Sequence, residues 1–408
     1  MSTTLAHSLD PELLARLTPA TERDPHFMRE ALAQARLAYG RTSPNPMVGS
    51  VIVAADGAIL GRGFHRRAGA DHGEIAALKD ARRNGHDPRG ATLYVNLEPC
   101  SFHGRTPPCA DACVEAGLAR VVIGVVDPHP RVSGQGIARL LAAGVAVTCW
   151  VLEGDCRRLN APFFTQVLHQ RPHVTAKVAM SLDGKIATRS GDSFPLTGAE
   201  ARERVHMLRD RIDAILVGRR TAALDNPRLT CRVAPERAAW GGPRDPTRII
   251  LDPELRLPLD LQVFQLQAHG QSDAPTLLVV DEDTAIPRDH QQALDDLGVS
   301  VIGSPRLGDG RLDVPAMLKQ LVDHNINSVL IEGGGTTLAL ALAAGCVDAW
   351  IAHVAPVLIG GAEAPTPLDG LGAATLADAI RLTGARVTPL GQDVEIAAPV
   401  AGDVYGLD

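Results

Sequence analysis

Apolar positions along this chain fall into short runs that switch repeatedly between a period near two and a period near 3.6, and that alternation predicts an α/β protein. From Asp24, read as an N-cap with Pro25 at the first helical position, a helix is expected as far as Gly40. Residues 48–54 form an apolar run that breaks at Asp56-Gly57, a hairpin turn pair, and resumes over 58–64. His72 and Glu74 then open a helix through Lys79 to Asn84. A strand over 91–97 delivers Pro99 and Cys100, residues 109–116 are helical, and strands at 121–126 and 145–151 flank a helix around 137–141. The pattern implies a mixed sheet covered by helices on both faces.

A second block starts at Arg171-Pro172. It opens with a strand over 174–180 and a turn at Ser181-Leu182-Asp183-Gly184. Thr197-Gly198-Ala199-Glu200 reads as a capping box opening a helix to about residue 210. Apolar, β-rich runs follow at 212–217, 248–251, 276–280 and 299–302, with 233–245 as a surface loop. Residues 315–325 are helical, 328–331 a strand, and Gly333-Gly334-Gly335 leads into a helix from Thr336 or Thr337. The expected division is a loosely attached extension over 1–23 with one short helix across 11–17, a first domain over 24–170 and a second over 171–408.

Length supports that division, because 408 residues exceed the usual size of one domain. Aromatic residues make up only 3%, so Leu, Val, Ile and Ala must fill the cores. A formal charge of −7 argues against a nucleic-acid-coating surface, which needs clustered Lys and Arg, yet leaves room for a phosphorylated small molecule in a local cationic pocket. The seven cysteines lack the spacing of a disulfide framework; with Cys100 and Cys109 set aside for a metal, Cys113, Cys149, Cys156, Cys231 and Cys346 read as reduced thiols of a cytoplasmic protein. No signal-peptide core appears in the first 24 residues and no run approaches a membrane span, so no membrane partner is expected.

The densest chemistry lies in His72-Gly73-Glu74 followed by Pro99-Cys100 and Cys109. One imidazole and two thiolates suit zinc, and a catalytic zinc site keeps its fourth position for water. Glu74 is not needed as a ligand; it is what such a water needs as a proton acceptor and donor, the arrangement of the zinc-dependent deaminases. Taken singly, each residue has a plainer reading: buried apolar thiols, a helix-end histidine, a first-turn acid. A structural zinc knuckle closed by His103 is the other alternative, and it would leave Glu74 without a role. In the second block, strand, glycines and helix outline a phosphate cradle, although three glycines in a row are as often a flexible turn, and the spacing is not the dinucleotide fingerprint.

Two longer stretches extend these motifs. The first half carries Pro44-Asn45-Pro46-Met47-Val48-Gly49 and the run from Leu97-Glu98-Pro99-Cys100 through Ser101-Phe102-His103-Gly104-Arg105-Thr106-Pro107-Pro108 to Cys109; eight residues separate the cysteines, unlike the Cys-x-x-Cys of nucleic-acid deaminases. The second half carries Lys177, Ser181-Leu182-Asp183-Gly184-Lys185, Thr221, Asp225-Asn226-Pro227-Arg228-Leu229-Thr230, Arg232 and Glu332-Gly333-Gly334. In this order, from about Asp24 onward, the chain resembles the bifunctional riboflavin-biosynthesis deaminase–reductase family.

The resemblance implies a cytidine-deaminase-like domain followed by a dihydrofolate-reductase-like one. It also implies removal of the 2-amino group from a diamino-ribosylamino-pyrimidinone 5′-phosphate and then NADPH-dependent reduction of ribosyl to ribityl. On this sequence His72, Cys100 and Cys109 would hold Zn2+, and Glu74 would carry the proton. Asn45 would recognise the pyrimidine. Arg105 and Thr106 suit phosphate or ribose oxygens, or else stabilise their own loop. In the second half Ser193, Arg209, Leu229, Arg232 and Glu332 stand where the family contacts substrate. Ala179, Pro195, Thr221, Asp225, Gly334, Gly335, Thr336 and Thr337 stand where it contacts NADPH. Arg209 and Arg232 suit the phosphate, or are simply solvated; Lys177 positions or protonates the opened sugar, or sits in an ordinary ion pair. A homo-oligomer is expected. Two positions depart from the pattern: Gly73, where the family often has Ala, and Pro195, where a Trp is expected beside the cofactor and Phe194 is the available substitute. A deaminase of another nucleotide with a binding-only second half, and a zinc-stabilised nucleotide-binding protein without turnover, are the competing functional readings.

Overall fold

Two sheets, each with its own helices, organise the chain. The computed structural model describes residues 9–102, 108–130, 132–193 and 195–400, and one folded unit gives way to a second between Gln170 and Arg171. The first unit contains α1 (Pro11–Leu14), α2 (Asp24–Arg36), β1 (Gly49–Val53), β2 (Ile59–Phe64), α3 (Gly73–Arg83), β3 (Thr92–Val95), α4 (Cys109–Glu115), β4 (Arg120–Ile123), α5 (Gln135–Ala142), β5 (Ala146–Thr148), α6 (Glu153–Leu159) and α7 (Ala161–His169). Its strands lie in the order β2-β1-β3-β4-β5, with β1 antiparallel to both neighbours and β3, β4 and β5 parallel.

The glycines of the β1–β2 hairpin show how the helices reach both faces. Gly49 and Gly63 are offset by one residue in the pairing, so they point to opposite sides of the sheet. A Cβ on Gly49 would strike the backbone of Ala31 and Ala35 on α2, and one on Gly63 would strike Ala77 on α3. Helix α2 therefore lies on one face and α3 on the other. Met28, Leu32, Ile52, Leu93, Ile123, Ile137, Leu140 and Phe164 fill the core between them.

Asp24 does not cap α2 through its side chain. It is the first helical residue, and its fully buried carboxylate instead accepts from the Thr21 amide (2.7 Å), the Tyr94 hydroxyl (2.9 Å) and the Arg120 guanidinium (2.9 and 2.7 Å). The amino-terminal stretch is also less loose than expected: Leu9 is buried, Arg16 donates to the Leu141 carbonyl (2.8 Å), and the Thr18 amide donates to that of Val147 (2.7 Å). Helices α6 and α7 have no counterpart in the sequence reading. Pro162 occupies the first turn of α7, where a missing N–H costs nothing.

The second unit contains β6 (His173–Ser181), α8 (Ala199–Arg211), β7 (Ala214–Gly218), α9 (Arg219–Asp225), β8 (Thr247–Leu251), α10 (Gln262–Gln265), β9 (Thr276–Asp281), α11 (Arg288–Asp296), β10 (Val299–Ser304), α12 (Val314–Asp323), β11 (Ser328–Glu332), α13 (Gly335–Ala343), β12 (Ala349–Ala355), β13 (Arg386–Leu390) and β14 (Asp393–Pro399). The nine strands run in the order β10-β9-β8-β7-β11-β6-β12-β14-β13, parallel as far as β12 and antiparallel beyond it. Along β7, Ala214 and Leu216 join one core cluster while Ile215 and Val217 join another, as a sheet buried on both faces requires.

Thr197 does not form the expected capping box. Helix α8 starts at Ala199 with Gly198 at its N-cap, and the Gly198 amide is met by the Asp393 carboxylate at 2.7 Å. The 233–245 loop holds only a 3-10 turn, Pro235–Arg237. Strands β12 to β14 were not anticipated: the first is alanine-rich, and Pro389 inside β13 argues against a strand except at an edge, which is where β13 lies. No helix among the described residues is long and apolar enough to cross a membrane.

Burial alone would raise the Asp24 pKa, but the bonds from Arg120, Thr21 and Tyr94 hold it below its ordinary value of 3.8. This contribution to stability is present above that value and lost as pH falls through the lowered one. Asp24→Ala strands a guanidinium with only 18% of its side chain exposed. The first unit should lose roughly 3–5 kcal/mol in urea unfolding, the cost of breaking a buried pair, and a loss below about 1 kcal/mol would reduce the pair to a surface contact.

Candidate active sites

Three stretches bring the soft donors of the first unit together. His72 is the N-cap of α3, Cys109 the first residue of α4, and Cys100 lies in the loop that follows β3. The His72 Nδ1 atom is 3.6 Å from the Cys100 sulfur and 3.3 Å from that of Cys109, and the three donor atoms all lie within 4.8 Å of one another. A tetrahedral zinc with ordinary bonds to nitrogen and sulfur needs ligand separations of roughly 3.5 Å, so this donor set fits the ion. The Cys109 amide, at the start of α4, donates to the Cys100 sulfur (3.3 Å). Hydrogen bonds from Cys109 and His72 hold the Cys100 thiol well below its ordinary pKa, which favours the thiolate a metal requires.

Glu74 stands in the first turn of α3, buried, and its Oε2 atom has no hydrogen-bond partner among the described residues. Burial pushes its carboxyl up to about 7, against the pull of a charged His72. A buried carboxylate oxygen left open beside an open metal position is costly in a purely structural site and useful in a hydrolytic one.

Asn45 is held by a residue the sequence reading missed. His65, buried after β2, sets its Nδ1 3.0 Å from the Asp71 carbonyl, which can only accept, so the proton lies on Nδ1. Burial lowers the His65 pKa and keeps the ring neutral, and its Nε2 then accepts from the Asn45 Nδ2 at 3.1 Å. The amide therefore presents Oδ1 as its acceptor. The loop carrying Asn45 is fixed by Asn160 and Asn96, whose amides clasp Met47 N and O and Gly49 N at 2.7–2.9 Å. A lone histidine after a strand has no spacing that marks it; only its contacts do. Arg105, Thr106 and His103 lie outside the described residues.

In the second unit, Glu332 ends β11 directly beside Lys177 on β6. Arg209 of α8 donates to both Glu332 oxygens (2.9 and 2.7 Å) and through its third nitrogen to the Thr230 carbonyl (3.0 Å). Burial would raise the Glu332 pKa, but Arg209 and Lys177 hold it low; burial lowers that of Lys177 while Glu332 opposes the fall. Arg209 is thus committed to protein partners. Arg232 donates to the Thr230 hydroxyl (3.1 Å) and, through its amide, to His206 (3.3 Å). Burial and the positive charges of Arg209 and Arg232 push His206 down to about 4, the mark of a local cationic field. Leu229 is buried beside them with a positive φ of 53°.

The expected cofactor residues gather where β11 meets α13. Gly333 and Gly334 have φ of 80° and 78°, and the Thr221 hydroxyl of α9 lies 3.3–3.4 Å from where a Cβ on either would stand. Thr337 flanks Gly334, and Asp225 ends the helix that carries Thr221. The front of α13 already holds an anion: the Asp369 carboxylate accepts from the Thr336 hydroxyl at 2.7 Å and lies against Gly335. Ala179 is on β6, two residues from Lys177 and on the same face. Ser193 is half-buried and Pro195 exposed in the loop before α8, and among the described residues no hydrogen bond joins either to these clusters. Phe194 lies outside the described residues.

Comparison with known proteins matches both units of the chain. The family model described as the cytidine and deoxycytidylate deaminase zinc-binding region matches residues 21–125, and the RibD C-terminal domain matches 172–396. The riboflavin biosynthesis protein RibD of Synechocystis is 42% identical over 91% of this chain and 94% of its own length, and that of Escherichia coli 37% over 91% and 98%. Among solved structures, Acinetobacter baumannii RibD has a TM-score of 0.77 at 33% identity, covering 93% of this chain and 99% of that one. A diaminohydroxyphosphoribosylaminopyrimidine deaminase/5-amino-6-(5-phosphoribosylamino)uracil reductase from Thermotoga maritima has a TM-score of 0.78 at 32% identity, covering 92% and 98%. With both domains matched in order and more than nine-tenths of the chain covered, the chain belongs to the RibD family, the bifunctional enzymes of riboflavin biosynthesis in which a zinc-dependent deaminase is joined to an NADPH-dependent reductase.

Proposed function

We propose that residues 24–170 remove the 2-amino group of 2,5-diamino-6-ribosylamino-4(3H)-pyrimidinone 5′-phosphate, and that residues 171–408 reduce the ribosyl group of the product to ribityl. Residues 1–23 precede the first domain. The observation that carries the reading is the convergence of His72, Cys100 and Cys109 beside the open Oε2 atom of Glu74.

Zinc held by His72, Cys100 and Cys109 would supply a water acidified to a pKa near 7. Glu74 takes the proton that this water gives up as its oxygen adds to the ring carbon bearing the 2-amino group. The same carboxyl returns the proton to nitrogen, and ammonia leaves as the C–N bond breaks. Asn45, its amide oriented by His65, accepts from an N–H of the pyrimidine. Arg105 and Thr106 meet the ribose or phosphate.

NADPH supplies the hydride of the second reaction. Gly334, Gly335, Thr336 and Thr337 would hold its phosphate, and Thr221, Asp225, Ala179 and Pro195 would make further contacts with the cofactor. Arg209 keeps Glu332 ionised and aimed, so that Glu332 and Lys177 face the opened sugar together with Ser193 and Leu229. Arg232, in the field that depresses His206, takes the substrate phosphate.

The substrate is a free phosphorylated pyrimidine, not nucleic acid, and cysteines without the spacing of a disulfide framework suit the reducing cytoplasm. A homo-oligomer would cover the exposed edge strand β13 and such exposed apolar residues as Leu371 and Leu376; a monomer in sedimentation velocity would contradict this.

Glu74→Gln should lower ammonia release by roughly 10²–10⁴-fold with zinc content unchanged. Undiminished turnover with zinc bound would remove Glu74 from the proton path. Arg209→Ala should cost the reductase roughly 10²-fold in kcat/KM and leave deamination untouched, because it strands a buried carboxylate at the sugar. Equal loss in both reactions would mean that the pair serves folding.

A further inference from the structure

Glu98 is a buried carboxylate that neither reaction uses. It lies between β3 and Cys100, only 3% exposed, and its two oxygens accept four backbone N–H groups. Oε1 receives the amides of Gly136 (3.0 Å) and Ile137 (3.3 Å), and Oε2 those of Asp127 (3.2 Å) and Gly134 (3.0 Å). Its own amide donates to the Val125 carbonyl at 3.0 Å. Three of the four donors stand at the entry of α5, where unpaired N–H groups and the helix dipole favour a negative charge. All four partners are donors. A protonated acid would turn its O–H against one of them, and a carboxamide would turn an NH₂ against two.

The next two residues complete the connection. The Pro99 carbonyl lies on the first turn of α5, so closely that a Cβ on Gly136 would stand 2.1 Å from it. Cys100 follows, with its sulfur 3.6 Å from His72 Nδ1. Asp127 is tied by its amide to Glu98 and by its side chain to the His129 amide (2.8 Å). One carboxylate therefore ties the loop after β3, which brings Cys100, to the loop after β4 and the start of α5.

We infer that Glu98 is a positioning residue of the deaminase: its four amide bonds fasten the Cys100 loop to the start of α5 and so set the sulfur where the metal needs it. This rests on the zinc assignment above. A side chain that merely filled space would be replaced without loss by its isostere, glutamine. A charge answered by four donors would not.

The test uses the full-length protein, and zinc content of the wild type is measured first. Absence of zinc there defeats the metal assignment itself, before Glu98 is probed. Given a zinc-loaded wild type, Glu98→Gln should release zinc to a chelator at least about tenfold faster, the usual scale for outer-sphere partners of a metal ligand. Deamination should fall in parallel and recover with added zinc, while the reductase stays unchanged. Wild-type release and turnover in Glu98→Gln overturn the inference. If the variant does not fold, hydrogen exchange of the wild type decides. Removing zinc should speed exchange at the Gly134, Gly136 and Ile137 amides, and exchange insensitive to zinc at all three overturns the coupling.

Discussion

Three donor atoms from stretches separated by 28 and 9 residues must meet within 4.8 Å, and the first unit is arranged around that demand. Helix α3 contributes its N-cap, α4 its first residue, and the loop after β3 the third donor. No single strand or helix can hold such a triangle. It depends on buried polar residues that join neighbouring loops: Asn96 and Asn160 around Met47, His65 on Asp71, and Glu98 across to α5. Each bond is worth about 1 kcal/mol net, but leaving its buried partner unmet costs more, so these residues act as geometric restraints rather than as bulk stability.

The second unit solves a related problem without a metal. Glu332 and Lys177 are adjacent on parallel strands, and Arg209 reaches down from α8 to clamp the acid through a two-point contact. The surface carries ion pairs of similar length, such as Lys79 with Asp71 at 2.7 Å, yet with side chains 64% and 39% exposed these are worth little. In the Arg209–Glu332 pair both side chains are at most 14% exposed, so the Coulomb attraction is weakly screened and loss of either partner is expensive. Burial decides which pair organises a site. The same reasoning favours Arg232 over Arg209 for an incoming phosphate, because all three guanidinium nitrogens of Arg209 are already engaged.

Much of this was legible in the residue pattern, for identifiable reasons. The β1–β2 hairpin follows from Asp56-Gly57, and α3 begins where His72 and Glu74 place it. The three donors that the structure brings together could be named because soft donors with an accompanying acid form a rare combination. What escaped depended on tertiary partners. Helix α7 and strand β13 each contain a proline, Pro162 and Pro389, in one of the two places that tolerate it, a first helical turn and an edge strand. Asp24 and Thr197 looked like caps, but one is drawn to Arg120 and the other is passed over by a helix that starts at Ala199. His65 and Glu98 carry no spacing signal at all; what they do becomes visible only through the atoms they touch.

An open zinc site at His72, Cys100 and Cys109 and a closed structural knuckle differ in their fourth ligand. Zinc-edge X-ray absorption on the purified full-length protein separates them. An open site gives one zinc per chain with two sulfurs at about 2.3 Å, one imidazole nitrogen at about 2.0–2.1 Å, and no second imidazole. A second imidazole in the coordination shell, as His103 would provide, or a single sulfur, would contradict it.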